Sequence, residues 1–229
     1  MISVIIPTLN AENSLAATLT ALVPAVVDGI LREVIVVDGG SSDRTLRIAE
    51  AAGVEIVRSA PGRGCQLAAG ARAARGAWLL FLHADTVLET GWESEAATFM
   101  ERVDIGLRPA SAAAFRLALD DLGFKPRMVE AGVVLRCTLL RLPYGDQGLL
   151  LPASLYRQIG GYRNLEIMED VDIIRRLGRG RVVIFRSRAL TSAMRYKRDG
   201  YVRRIGRNLA CLVLYLLRVS PRRIARLYR

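Results

Sequence analysis

One histidine and three cysteines are the chain's whole supply of soft metal-binding side chains, in 229 residues. Cys65, Cys137 and Cys211 lie far apart, with neither CxxC nor metal-ligand spacing. A disulfide scaffold is therefore excluded, and three reduced, mostly buried thiols in a cytoplasmic protein are expected. Aromatic residues are scarce at 6%, which leaves few platforms for stacking nucleic-acid bases. The 20 glycines follow no period, so the chain is not collagen-like. The opening stretch, Met1-Ile2-Ser3-Val4-Ile5-Ile6-Pro7, lacks the basic and long apolar regions of a signal peptide and reads as a first strand.

What is present is core-forming. With 52% hydrophobic and 24% charged residues, the composition predicts one packed domain with an appendage. The net charge of +11 is concentrated at one end. From Arg195 to Arg229 there are 11 Lys and Arg against the single acid Asp199, a segment charge of +10. The body before it is nearly neutral, so whatever partner the basic pI of about 10.4 implies belongs to the tail.

Short, continuously apolar runs at Ile2–Ile6, Val34–Val37, Val54–Val57 and Trp78–Leu82 predict strands. Helical patterns over Glu12–Val27, Thr45–Ala52 and Gln66–Ala74 separate them. That alternation predicts an α/β fold whose mostly parallel central sheet is covered on both faces. Further on, strands are predicted at Ala112–Leu117, Gly148–Leu151 and Val182–Phe185, and helices at Met128–Leu142, Ser154–Ile159 and Asp170–Leu177. No linker or repeat divides the chain, which gives a catalytic-type domain over 1–190 and a basic, amphipathic helical segment over 191–229.

In such sheets ligands bind beyond the carboxyl ends of the strands. The first strand is followed by Pro7-Thr8-Leu9-Asn10-Ala11-Glu12, the second by Asp38-Gly39-Gly40-Ser41-Ser42-Asp43. A carboxylate there accepts hydrogen bonds from a base or ribose, and the glycines let backbone N–H groups approach a phosphate. Each segment alone also reads as an ordinary turn with a helix cap. Neither is G-x-G-x-x-G, so no nicotinamide or flavin site is indicated. The third strand end, Pro61-Gly62-Arg63-Gly64-Cys65-Gln66, carries Arg63 to a helix N-terminus, which suits a diphosphate or, equally, a solvated loop. The fourth, Leu82-His83-Ala84-Asp85-Thr86, offers Asp85 to a divalent cation, Mn²⁺ or Mg²⁺, bound together with substrate phosphates. His83 is its nearest companion ligand, although a lone histidine is more often structural.

Taken together, Val4-Ile5-Ile6-Pro7-Thr8-Leu9-Asn10, Val36-Val37-Asp38-Gly39-Gly40-Ser41-Ser42-Asp43 and Leu80-Phe81-Leu82-His83-Ala84-Asp85 resemble the family 2 glycosyltransferases, with their GT-A fold. The resemblance runs roughly from Met1 to Arg181. It implies a nucleotide-sugar site drawn from Pro7, Thr8, Asn10, Glu12, Asp38, Gly40, Ser42, Arg63, Gly64, Gln66, His83, Ala84 and Asp85. Asp38 would contact the base, and Asp85 would be the last acid of the metal-binding D-x-D, whose first acid is here His83. Gly70 stands where the family usually has Asn.

The same resemblance makes Asp170, beside Glu169, the catalytic base of an inverting transfer. It assigns Asp146, Gln147 and Arg176 to the donor or acceptor sugar, and favours a UDP-sugar donor while leaving the acceptor open. The pattern is closest to the arsenosugar-biosynthesis or selenodomain-associated branch. Two other classes were weighed. Nucleotidyl transfer would need a Gly-rich basic loop after the first strand, which Pro7–Glu12 does not supply. A nucleic-acid-binding protein would need a basic body, and this body is neutral. For the tail, nine apolar residues from Leu209 to Leu217 flanked by arginines are too short to cross a bilayer, and they suit the surface of an anionic membrane as a peripheral attachment. The alternative is a terminal helix packed on the body or on a second subunit of a homodimer.

Overall fold

The computed structural model describes residues 1–228. Its elements in chain order begin with β1 (Ile2–Thr8), α1 (Leu15–Thr20), α2 (Val23–Val27), β2 (Leu31–Asp38), α3 (Thr45–Ala51), β3 (Glu55–Arg58), α4 (Arg63–Ala73) and β4 (Trp78–Phe81). The single helix predicted over Glu12–Val27 is two. Pro24 sits in the first turn of α2, where its missing N–H is tolerated, so the chain restarts there instead of continuing α1.

Between Leu82 and Ala112, a stretch without a predicted element, the chain forms β5 (Thr86–Leu88) and α5 (Trp92–Asp104). Then follow β6 (Ala112–Asp120), α6 (Phe124–Leu140), a 3-10 turn at Gly145–Gln147, β7 (Leu149–Pro152), α7 (Ala153–Gln158), α8 (Glu169–Leu177) and β8 (Val182–Ser192). The eight strands make one sheet in the order β3-β2-β1-β4-β7-β6-β8-β5. Strands β3, β2, β1 and β4 run parallel, and so do β6 and β8. The β4–β7, β6–β7 and β5–β8 pairs are antiparallel.

Alternation along β1 divides the core. Val4 and Ile6 pack into the cluster holding Trp92 and Phe99, while Ile5 packs on the other face with Leu67 and Val171. Helix α4 lies unusually close to the sheet. A Cβ at Gly70 would stand 2.4 Å from Ile5 Cγ2 and 2.8 Å from Val37 Cγ2, so the absence of a side chain there sets the helix–sheet distance.

Strand β8 crosses position 190 and ends at Ser192. The segment after it folds as α9 (Met194–Asp199), α10 (Tyr201–Leu216) and α11 (Pro221–Tyr228). These helices rest on the body. Cys211, Leu212 and Ile224 are buried in the same cluster as Val171 and Ile174 of α8. Asp199 ties the turn together by accepting from Arg198 (2.9 Å), Arg204 (3.0 Å) and Arg207. Lys197 pairs with Asp121 at 3.0 Å, and the Tyr201 hydroxyl donates to the same carboxylate. Among the described residues, no helix is long and apolar enough to cross a membrane.

Candidate active site

The ends of β1 and β2 form a cradle laced by side-chain to backbone hydrogen bonds. Asp38, the last residue of β2, accepts from the Gly40 N–H at 2.9 Å and the Ser41 N–H at 3.0 Å, and from the Ser41 hydroxyl. Asn10, held in the left-handed region at φ 53, accepts from the Ser42 N–H at 2.9 Å. The Glu12 carboxylate accepts from the Arg44 N–H at 3.1 Å, and the Glu12 N–H donates to Asp43. Gln66 lies beneath. Its buried amide donates to Thr8 O and Val37 O, both at 2.8 Å, so it clamps the strand ends from below and does not face a ligand. Pro7 and Thr8 lie in register with Val37 and Asp38, which places the first two loops side by side.

Arg63 opens α4 and reaches across to α8, with a guanidinium nitrogen 3.3 Å from Glu169 Oε1. Gly64 permits this approach, because a Cβ there would fall 2.3 Å from Arg163 O. Burial pushes the Glu169 carboxyl up, Arg63 pulls it down and Asp170 adds to the rise. On the turn after β4, Ala84 O accepts from the Thr18 hydroxyl at 2.9 Å, and Asp85 O accepts from the Ser192 N–H at 3.2 Å. The Asp85 carboxylate itself takes no hydrogen bond among the described residues. Burial holds the His83 imidazole well below its ordinary pKa, with the Arg63 and Arg195 guanidinia adding to the effect.

Asp170 stands in the first turn of α8. It accepts from the Val171 N–H at 2.7 Å and from the Gly145 N–H at 2.9 Å. Gly145 is the wedge that joins the two halves of the site. A Cβ on it would lie 2.8 Å from His83 Nε2 and 3.6 Å from Asp170 Cβ. A cavity of about 10 Å³, room for a single water, is enclosed there by His83, Gly145, Tyr162, Glu169 and Asp170 among others. Next to it, Asp146 Oδ1 is buried without a partner. Burial pushes the Asp146 carboxyl up, Arg136 opposes the shift, and the Asp170 and Asp85 carboxylates reinforce it.

Thus β4, the 3-10 turn and α8 bring His83, Asp85, Asp146, Glu169, Asp170 and Arg63 together. Two residues expected at the sugar are engaged elsewhere. Gln147 Oε1 accepts from Arg136 Nη2 at 3.0 Å and from the Tyr144 N–H, while its amide donates to Phe115 O at 2.9 Å. Arg176 grips Asp172 at 2.6 Å and donates to Ile159 O, away from the cavity. Both side chains therefore hold the scaffold. Gly145 and Tyr162 are members that sequence reasoning does not single out. For Gly145 the signal was its place immediately before an acid in a turn.

Comparison with known proteins places this geometry. Residues 3–111 match the family model of glycosyl transferase family 2. That match spans just under half of the chain. Its sequence is 34% identical over 95 residues to a glucosyl-3-phosphoglycerate synthase of Mycolicibacterium paratuberculosis, covering 38% of this chain and 29% of that relative's length. Among solved structures, the fold resembles S. aureus TarS 1–349, with TM-score 0.64, 18% identity, and 93% of this chain and 65% of that one covered. It also resembles glucosyl-3-phosphoglycerate synthase from Mycobacterium tuberculosis in complex with Mn²⁺, UDP and glucosyl-3-phosphoglycerate, with TM-score 0.55, 22% identity, and 84% and 70% covered. The GT-A fold expected from the strand-end motifs is the one observed.

The donor set also fits a divalent cation of the kind such a fold employs. Asp85 offers a carboxylate without a protein donor, and His83 is kept in the neutral, ligating form. No group of three or more His, Cys, Asp or Glu able to hold a metal occurs among the described residues, so the remaining positions fall to phosphate oxygens and water.

Proposed function

We propose that the chain transfers a sugar from a nucleoside diphosphate donor, a UDP-sugar, to an acceptor hydroxyl with inversion at the anomeric carbon. The observation that carries this reading is the Asp170 carboxylate, fixed by two backbone N–H groups and facing His83 across Gly145, with Asp85 two residues further along the chain. Asp170 takes the proton of the acceptor hydroxyl as its oxygen bonds to the anomeric carbon and the bond to the diphosphate breaks on the opposite face. A positioned base of this kind contributes roughly 10²–10⁴-fold. Arg63 meets the negative charge that grows on the leaving diphosphate, and its pair with Glu169 holds it in place. Asp85 and His83 would hold the cation, which supplies charge neutralisation for the diphosphate. The laced cradle of Asn10, Asp38 and Ser42 would carry the nucleoside, with Asp38 toward the base.

The site does not account for the basic segment from Arg195 to Arg229, of net charge +10, which includes α9, α10 and α11. We propose that this segment rests the domain on an anionic membrane surface. Thermal denaturation against UDP, GDP, CDP and ADP, each with and without Mn²⁺, tests the catalytic reading. UDP with Mn²⁺ should raise the melting temperature most, and equal shifts for all four without metal dependence would refute it.

A further inference from the structure

The tail carries a feature beyond its net charge. Helices α10 and α11 enclose an open cavity of about 370 Å³, lined by Arg203, Gly206, Arg207, Ala210 and Leu227. That volume is in the range of small-ligand sites. Its chemistry is lopsided. Arg203 is exposed and pairs with no carboxylate among the described residues, while Arg207 shares the one carboxylate of Asp199 with Arg198 and Arg204. Three cations on one anion leave an excess of positive charge. Among the described residues the Nε–H of Arg207 is also buried without an acceptor, an arrangement that costs free energy until an acceptor arrives. At Gly206 a Cβ would meet nothing within 4 Å, so the floor of the cavity is open space and not packed side chain.

We infer that this cavity binds the phosphate of an anionic phospholipid head group. Arg203 and Arg207 line one space, Arg207 held there by Asp199 and the Tyr228 ring, and guanidinium groups suit the tetrahedral oxygens of a phosphodiester better than lysine does. The choice of a lipid over a dissolved phosphate comes from the apolar wall and from what adjoins it. At roughly 100° of rotation per residue, Arg203, Gly206, Arg207 and Ala210 share one sector of α10. The neighbouring sector presents Val202, Leu209, Val213 and Leu216, all exposed. The third sector, with Arg204, Cys211 and Leu212, is buried against the body. A basic cavity bordered by an exposed apolar stripe on one helix positions a head group and its first methylene groups together, as an interfacial helix does. A water-soluble phosphate would use the arginines and leave the stripe unexplained.

This site rests on the reading that the tail meets a membrane, and the test separates the two. Vesicles of phosphatidylglycerol and phosphatidylcholine are titrated with the full chain and with Arg203→Gln, Gly206→Glu and Arg222→Gln. Each variant changes the charge by the same single unit. Arg222 is outside the cavity and 87% exposed at its side chain, so it reports charge alone. General attraction to the surface predicts a loss of about fivefold for any of them. The head-group site predicts a loss of about fiftyfold or more for Arg203→Gln and Gly206→Glu, and fivefold or less for Arg222→Gln. Circular dichroism and an unchanged UDP affinity establish that the variants are folded. Equal losses in all three would overturn the site and leave the membrane reading standing. Absence of vesicle binding by the unaltered chain would overturn both. Glycerol phosphate bound as tightly as the vesicles would overturn the assignment to lipid.

Discussion

The chemistry of the site turns on which carboxylates are held and which are free. Asp170 has each oxygen fixed by a backbone N–H, while Asp85 is unengaged among the described residues and Asp146 keeps one oxygen buried without a partner. Replacing Asp170 with Asn preserves shape and removes the proton acceptor. Turnover should fall roughly 10²–10⁴-fold with UDP-sugar affinity unchanged. Single-turnover kinetics beside calorimetry would read both, and activity within a few-fold of the original would shift the base to Glu169 or Asp146. Asp85→Asn should instead abolish the metal-dependent part of UDP affinity, and calorimetry with and without Mn²⁺ would detect a failure of that role. At this scale Arg63 and Asp85 were legible because they follow strands of a parallel sheet, where ligands bind, and Asp146, Glu169 and Asp170 through the resemblance to a family. Gln147 and Arg176 were not. A polar side chain looks the same in sequence whether it faces a ligand or turns inward to a carbonyl, and here Phe115 O and Ile159 O claim them.

Among the elements, the first four strands could be read from the chain because each holds a short apolar run, buried in β1, β2 and β4 and half-buried in the edge strand β3. Strand β8 is harder. Its 11 residues alternate between buried and exposed, so only the apolar opening at Val182–Phe185 announces it. Helix α5 does carry a signal, with Trp92, Ala96, Phe99 and Met100 on one face, and it was hidden by the three-residue strand before it. Close packing makes α4 the least tolerant helix. Gly70→Ala should lower stability by about 1–3 kcal/mol through overpacking against Ile5, despite the better helix propensity of alanine. Gly132, in α6, has nothing within 4 Å of a Cβ, so Gly132→Ala should stabilise by about 0.5–1 kcal/mol. Urea denaturation of the pair gives opposite signs if α4 is held at its present distance, and the same sign if α4 can slide.

For the molecule as a whole, the tail is fastened where it begins. Tyr196 of α9 packs against the cluster of Leu117, Leu119 and Ala193, and burial pushes its hydroxyl up to about 12. Hydrogen bonds from Arg198 and Arg207 hold the Asp199 carboxyl below the usual carboxylate range. A lowered pKa in the folded state means a contribution present in full above the unfolded value of about 3.9 and lost as pH falls toward the folded value. The turn between α9 and α10 should therefore persist through mildly acidic pH, and Asp199→Asn should loosen it at every pH. Limited proteolysis between Ala193 and Gly200 measures this, and equal cleavage of both proteins would show that the apolar contacts of Cys211 and Ile224 suffice.

The position of β8 carries a further consequence for how the protein is made. β5 has a single neighbour in the sheet, β8, and the Val87–Leu190 register joins residues about a hundred positions apart. At translation rates of 5–20 residues per second, the ribosome needs on the order of 5–20 s to deliver the partner strand. Until then the turn bearing Asp85 lacks its bond from Ser192, and the carbonyl of Asp146 lacks the Thr191 hydroxyl. The cradle at β1 and β2, proposed above to hold the nucleotide, emerges early and can close on its own contacts, whereas the acidic half of the site is completed by β8, the last strand among the described residues. A nascent chain would thus acquire its capacity to hold a nucleotide well before its capacity to react with one.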